Sequence, residues 1–142
     1  MAITTAFPRL SALLRTFNMK LSNQVVSLDI AKRLKELGVK REGFFRWVQL
    51  VNEPGDEKPW ISESHYFLGD KKCEFIASAY TVAELGEMLG QFSAWRDGNG
   101  RYGIRNESES GRHTEIEDTE ADARGNLLIY LLEQGLTKAK EL

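Results

Sequence analysis

The chain has 142 residues, of which 42% are hydrophobic and 28% charged, and a formal net charge of −2. This length and composition predict one globular domain, large enough to bury about 70% of its unfolded surface. The longest apolar run, LLIYLL at 127–132, is too short to span a membrane, and the single cysteine excludes an internal disulfide, so we expect a cytoplasmic protein without a membrane partner.

The first eighteen residues have a composition of their own: they are basic, rich in Ser and Thr, and free of acidic side chains. Their apolar residues recur at helical spacing, as in an amphipathic helix. Targeting peptides share this composition, whereas Met19 offers an alternative start of the chain. We expect a dispensable extension or a partner-docking helix over 1–18, and a single domain over 19–142.

Three segments begin with Ser or Thr and end before glycine, which is typical of a capped helix. They span residues 27–38, 81–90 and 119–135. In the second segment, Thr81 and Glu84 also have the spacing of a capping box. The sequence therefore predicts three capped helices.

Strand-like stretches lie between these helices, at 43–51, 64–69, 72–78, 92–96, 101–105 and 112–117. Tight turns between several of them favour antiparallel pairing, including a pairing of 64–69 with 72–78. The predicted fold class is α+β: an antiparallel sheet of about four to six strands with three capped helices packed on it.

Residues 98–103 read GNGRYG, which matches the G-x-G-x-x-G of a dinucleotide-binding loop. That loop must close a strand and open a helix, so that the pyrophosphate meets helix N–H groups. No helical apolar face follows Gly103, and Asp97-Gly98 and Asn99-Gly100 are hairpin signals. We therefore predict a turn here and no cofactor.

His113, Glu115 and Glu117 would share one face of a strand, and one nitrogen with two carboxylates can bind a divalent metal. The same residues fit a solvated acidic edge, which discourages unwanted strand pairing. Cys73 with His65 or His113 would offer a nucleophile pair. The sequence shows no nucleophile elbow, zinc-binding His pair or phosphate loop, so no catalytic residue is assigned.

Positive charge is concentrated in residues 1–50, which carry nine basic and three acidic side chains, against ten and eighteen in the rest. The stretch IAKRLKELGVKREGFFRW looks like the opening of a helix-turn-helix, but a strand is expected where the second helix is needed. The candidates for binding an anion or nucleic acid are Lys32, Arg33, Lys35, Lys40, Arg41 and Arg46.

The segments SLDIAKRLKELGVKREGFFRW, TVAELGEML and ADARGNLLIYLLEQGL, in this order, resemble a group of short bacterial proteins found in phage and prophage regions. The resemblance runs from about Met19 to Leu136, and its closing part is similar to the phage α-β-α sandwich type. It implies a phage-related setting, but no reaction, cofactor or catalytic residue.

These observations together predict a non-enzymatic phage-type accessory protein that binds an unidentified protein partner or itself. The candidates for protein contact are Trp47, Trp60 and Trp95, although aromatic residues at strand spacing more often belong to a core. The alternative is a nucleic-acid-binding accessory protein that uses the basic stretch 32–46. A metal-dependent or Cys/His enzyme is the third alternative.

Overall fold

A computed structural model of the protein describes residues 20–50, 58–64, 73–107 and 112–142. This part of the chain contains four α-helices, six strands and a 3₁₀-helix. In chain order they are α1 (Leu21–Gln24), α2 (Leu28–Glu36), β1 (Phe45–Leu50), β2 (Trp60–Glu63), β3 (Cys73–Ala79), α3 (Val82–Leu89), β4 (Phe92–Arg96), β5 (Tyr102–Asn106), β6 (Thr114–Glu117), α4 (Glu120–Glu133) and the 3₁₀-helix Ala139–Glu141. The predicted extension 1–18 and Met19 lie outside the described residues.

The predicted helix ends are confirmed at α3 and α4. Thr81 and Glu84 form the predicted capping box at the start of α3, and the Thr119 hydroxyl accepts a hydrogen bond from the backbone N–H of Asp122. The three predicted glycine stops, Gly38, Gly90 and Gly135, have positive φ angles of 94°, 74° and 70°. Glycine takes this conformation without the steric cost that a side chain would add.

The start of α2 differs from the expectation. Ser27 occupies the N-cap position, but its side chain makes no capping hydrogen bond. Its backbone N–H instead donates to Asp122 Oδ1 at 2.8 Å. A carboxylate from the first turn of α4 therefore ties the beginning of α2 to the beginning of α4.

The strands form two three-stranded antiparallel sheets, with strand orders β2-β1-β3 and β4-β5-β6. The α+β class and the strand number are confirmed. The strands form two sheets where the sequence indicated one, and the short helix α1 adds to the three predicted helices. Helix α3 follows β3, and the chain then begins the second sheet at β4. Strand β3 pairs with β1; the segment 65–72, which holds most of its predicted partner, lies outside the described residues.

The GNGRYG stretch is a turn followed by the start of β5, as predicted. Asp97 Oδ1 accepts hydrogen bonds from the backbone N–H groups of Asn99 and Arg101, each at 2.9 Å. Backbone contacts to these two amides are the main reason why the pKa of Asp97 is lowered. The chain reverses between β4 and β5, and no helix begins here.

Helix α4 lies at the centre of the core and packs on α2, α3, β5 and β6. Leu127 and Leu128 are fully buried. Gly125 makes the approach to α2 possible, because a Cβ atom there would lie 2.6 Å from Ile30 Cγ2 and 2.9 Å from Val26 Cγ1. In the described residues, no helix has the length and apolar character required to cross a membrane.

Candidate functional site

Three of the predicted basic residues meet at one cavity beside the C-terminal end of α2. Lys35, Lys40 and Arg41 line this cavity, which has a volume of about 350 Å³. Lys35 comes from the last turn of α2, and the turn at Gly38 lets Lys40 and Arg41 line the same cavity. We call this cavity the α2 pocket; its lining residues are Ala31, Lys35, Gly38, Val39, Lys40, Arg41, Phe75, Ser78 and Tyr80.

Aromatic side chains complete the α2 pocket. Phe75 is 46% exposed, and Lys35 Nζ lies 5.0 Å from the centre of its ring. Lys35 Nζ also donates to the carbonyl oxygen of Ile76 at 2.8 Å, which fixes the ammonium beside β3. The Tyr80 hydroxyl donates to the carbonyl oxygen of Arg41. Burial raises the pKa of Tyr80, so its phenol stays neutral at physiological pH.

The other basic candidates lie outside the lining of the α2 pocket. Lys32 is exposed on α2 and makes no ion pair with any described residue. Arg33 forms ion pairs with Glu36 and Glu133 at 3.2 and 3.3 Å, and Arg46 lies in β1. Since residues 45–50 form a strand, the basic stretch is not a helix-turn-helix.

The three tryptophans differ in environment. Trp47 packs against the core, and its Nε1 donates to the carbonyl oxygen of Val26 at 3.1 Å. Trp60 begins β2 and is half-buried. Trp95 is 39% exposed and lies in β4. Trp95 is therefore the tryptophan best placed for contact with another molecule.

Trp95 belongs to an apolar row on the second sheet. In the β4-β5-β6 register, Gly103 lies opposite both Trp95 and Ile116, and Ile116 is 44% exposed. Alternate residues of the sheet, such as Ile104, point towards the core instead. Trp95, Gly103 and Ile116 therefore define the outer face of this sheet. Ile116 was not singled out from the sequence because strand alternation does not show which face lacks a covering helix.

The outer edge of β4, on the side away from β5, pairs with no other strand in the described part of the chain. Backbone hydrogen bonds at both ends of the β4–β5 ladder show that the odd-numbered residues of β4 pair with β5. The N–H and C=O groups of Phe92, Ala94 and Arg96 therefore point away from β5. No described residue forms a backbone hydrogen bond with them on that side.

The predicted metal residues do not converge on one point. His113 Nε2 lies 2.7 Å from Glu115 Oε1, and the His113 ring stacks on Tyr130 with centroids 3.6 Å apart. Glu117 instead accepts a hydrogen bond from Asn126 Nδ2 at 2.7 Å. Among the described residues, no group of three His, Cys, Asp or Glu side chains is arranged to hold a metal ion.

A larger cleft of about 810 Å³ separates the N-terminal ends of α3 and α4. Arg124 crosses it, donating to the Val82 carbonyl oxygen at 3.1 Å and to Glu120 Oε1 at 2.8 Å. Acidic and basic side chains line the cleft together, among them Asp118 and Arg96. The charges of the cleft are balanced, and Arg124 links the two helices on either side of it.

Cys73 is half-buried at the start of β3. His65, one of its two predicted partners, lies outside the described residues. The other, His113, already contacts Glu115 of β6 and Tyr130 of α4. The described residues therefore give no support to a Cys/His nucleophile pair.

Comparison of the chain with protein-family profiles, with curated proteins and with solved structures found no match.

Proposed function

We propose that this protein is a non-enzymatic, phage-type accessory protein that acts by self-association, and that two copies meet at the edge of β4. The observation that carries the proposal is the outward direction of the backbone groups of Phe92, Ala94 and Arg96. A free strand edge is a template for pairing with another strand. Its phage-type setting rests on the sequence resemblance.

Strand β4 lacks the features with which proteins usually protect such an edge. It contains no proline or lysine, its pairing with β5 has no register shift, and its one charged residue is Arg96. Strand β6, at the opposite edge of this sheet, carries Glu115 and Glu117. Acidic side chains on two β6 strands would repel each other, so β4 is the favoured edge for pairing.

The other sheet has one edge that is already covered. Strand β3 lies at its edge, and α2 packs against that strand. The Ile76 carbonyl oxygen of β3 accepts a hydrogen bond from Lys35 Nζ. A second chain would have to displace α2 and this contact to pair with β3.

A second copy fits β4 in an antiparallel register centred on Ala94. Each Phe92 would then lie opposite Arg96 of the other copy, and each Ser93 opposite Trp95. Such a contact is isologous, as a two-fold dimer requires. The two Arg96 side chains lie at opposite ends of the ladder, which limits their repulsion, and the small Ser93 leaves room for the neighbouring indole.

This pairing would join two three-stranded sheets into one sheet of six strands. Because antiparallel copies are related by an axis perpendicular to the sheet, both outer faces would lie on the same side. The rows of Trp95 and Ile116 from the two copies would then form one longer apolar surface. Self-association therefore uses the open edge of the second sheet and brings the exposed apolar rows of the two copies together.

The test is the molar mass of the full chain, measured by sedimentation over a wide concentration range, together with that of A94P. We expect a dimer for the unsubstituted protein. Ala94→Pro removes an outward N–H but no hydrogen bond to β5, so the variant should fold and sediment as a monomer.

The matched control is T114P. Thr114 lies on β6, and its backbone N–H also points away from β5. This variant should remain a dimer, and circular dichroism should show that both proline variants are folded. A monomeric unsubstituted protein, or a folded A94P variant that still dimerises, would contradict the proposal.

A further inference from the structure

We infer that the α2 pocket binds a nucleotide unit, that is, an aromatic base joined to a phosphate. The unit can come from a free nucleotide or from a single strand of DNA or RNA. The pocket lies beside α2 and β3, whereas the proposed dimer contact lies on β4. The two proposals therefore stand or fail independently.

The positive charge of the α2 pocket exceeds what its surroundings neutralise. Lys35, Lys40 and Arg41 line it, and no acidic side chain does. Arg41 is paired with Glu87 and Glu84 places a second negative charge near Tyr80, but Lys35 and Lys40 make no ion pair with any described residue. The C-terminal end of α2 carries the equivalent of only about half a negative charge. This leaves a net positive site that suits a phosphate group.

The aromatic lining suits a base. Phe75 lines the pocket and exposes nearly half of its surface. A base that stacks on a phenylalanine ring gains free energy whatever its identity, because every base has a π-face. The ammonium of Lys35 lies over this ring, 5.0 Å from its centre, and would move from the ring face to the phosphate as the base stacks.

The size of the pocket limits the ligand. A volume of about 350 Å³ is at the low end of the range for small-molecule sites and accommodates a single nucleotide unit. The hydroxyl of Ser78, which also lines the pocket, offers a hydrogen-bonding group for the edge of a base. An acidic peptide would supply carboxylates but no planar ring with polar edges, so a nucleotide matches the lining better.

The test is fluorescence anisotropy of a labelled oligothymidylate titrated with the full-length protein at several salt concentrations. We expect saturable binding that weakens as salt rises, because protein cations release counterions from the strand. F75L should weaken binding about fivefold or more through lost stacking. K40Q should reduce the slope of log K against log salt by about 0.7, the value for one phosphate contact on a single strand.

Matched controls separate the pocket from general surface effects. K32Q removes the same charge from an exposed position on α2 outside the pocket, and F44L removes an exposed ring, 68% accessible, that does not line it. Both should leave the affinity and the salt slope unchanged. Circular dichroism would show that all four variants are folded.

Competition with unlabelled thymidine monophosphate distinguishes the two sources of the nucleotide. Displacement at a similar concentration of nucleotide units indicates a free nucleotide, and much weaker displacement indicates a strand. Absence of oligothymidylate and thymidine monophosphate binding at low salt would overturn the inference. Equal losses in K32Q and K40Q, an unchanged F75L, or competition by a phosphotyrosine peptide alone would do the same.

Discussion

The indole of Trp95 packs directly on Gly103 of the neighbouring strand. A Cβ atom at position 103 would lie 2.3 Å from Trp95 Cε2 and 2.5 Å from Nε1. Contacts this short require a displacement of the ring or of the strand. Because Gly103 has no side chain, the Trp95 ring can lie against this strand on the outer face of the second sheet.

We expect Gly103→Ala to push the Trp95 ring away from the sheet and to destabilise the fold by about 1–3 kcal/mol, as overpacking usually does. Urea unfolding and tryptophan emission would measure the loss and the change of environment. Gly98→Ala is the matched control, because a Cβ atom there meets no atom within 4 Å. Equal free energies of unfolding for the two variants would show that the Trp95 ring moves without loss of stability, and would contradict the prediction.

Gly125→Ala tests the contact between α4 and α2. The added methyl group would collide with Ile30 and Val26, whose branched side chains lie close to the backbone and have little room to move. Overpacking costs about 1–3 kcal/mol, and the better helix propensity of alanine offsets up to about 1 kcal/mol of this loss. We therefore expect a net loss of about 1–2 kcal/mol in urea unfolding.

Gly86→Ala provides the comparison. Its Cβ atom would lie 2.5 Å from Nη1 of Arg124, the far end of a long side chain that can move. The cost is the weakened bond to the Val82 carbonyl oxygen, set against the same gain in helix propensity. Gly86→Ala should therefore destabilise the protein less than Gly125→Ala, and the reverse order would contradict this account of the packing.

The helix caps lead to a third prediction. Thr119→Ala removes the hydroxyl that accepts the N–H of Asp122, and should cost about 1 kcal/mol. Ser27→Ala removes a hydroxyl with no capping bond and leaves the backbone N–H on Asp122, so its cost should be below about 0.5 kcal/mol. Thermal unfolding would compare them, and equal losses would count against the cap assignment.

Features set by neighbouring residues could be predicted from the sequence. The capping box of Thr81 and Glu84 needs only residues three apart, and the turn at 97–100 needs only residues that accept its geometry. These signals identified α3, α4, the hairpin and the glycine stops. They also showed that GNGRYG is not a dinucleotide-binding loop.

Features set by distant parts of the chain could not be predicted. In a regular strand, Phe75 would lie on the same buried face as Ala77 and Ala79. A register shift between Trp47 and Val48 places Phe75 opposite Val48, and the ring is exposed in the α2 pocket. The basic stretch was recognised, but which three of its six cations line the pocket depends on the turn at Gly38.

The different roles of Trp47 and Trp95 can be separated by replacing each with phenylalanine. Trp47→Phe leaves the Val26 carbonyl oxygen without its donor and should cost about 1–3 kcal/mol. Trp95→Phe keeps an aromatic ring at a partly exposed position and should cost less than about 0.5 kcal/mol. Urea unfolding measures both, and a larger loss for Trp95→Phe would reverse the assignment.

The acidic strand β6 makes stability depend on pH. Burial raises the pKa of Glu117, and the negative charges of Asp122, Glu115 and Asp118 add to this effect. Above the pKa that Glu117 has in the unfolded chain, the native protein retains a Glu117 proton that the unfolded chain has lost. The stability that this proton contributes is lost as pH rises through the raised pKa of Glu117. E117Q should therefore be more stable than the unsubstituted protein at pH 7, by less than about 1 kcal/mol because solvent screens the site. Below about pH 3, where glutamate is protonated in both states, the difference should vanish.

E107Q is the control with the opposite sign. A hydrogen bond from the Ser93 hydroxyl lowers the pKa of Glu107, with a smaller contribution from Arg105. Its carboxylate therefore stabilises the native state above the unfolded-state pKa, and that contribution is lost as pH falls through the lowered value. E107Q should be less stable than the unsubstituted protein at pH 7, with the deficit shrinking in acid. Urea unfolding of both variants at pH 7 and in acid would check the two signs, and a shift of the same sign in both would contradict this explanation.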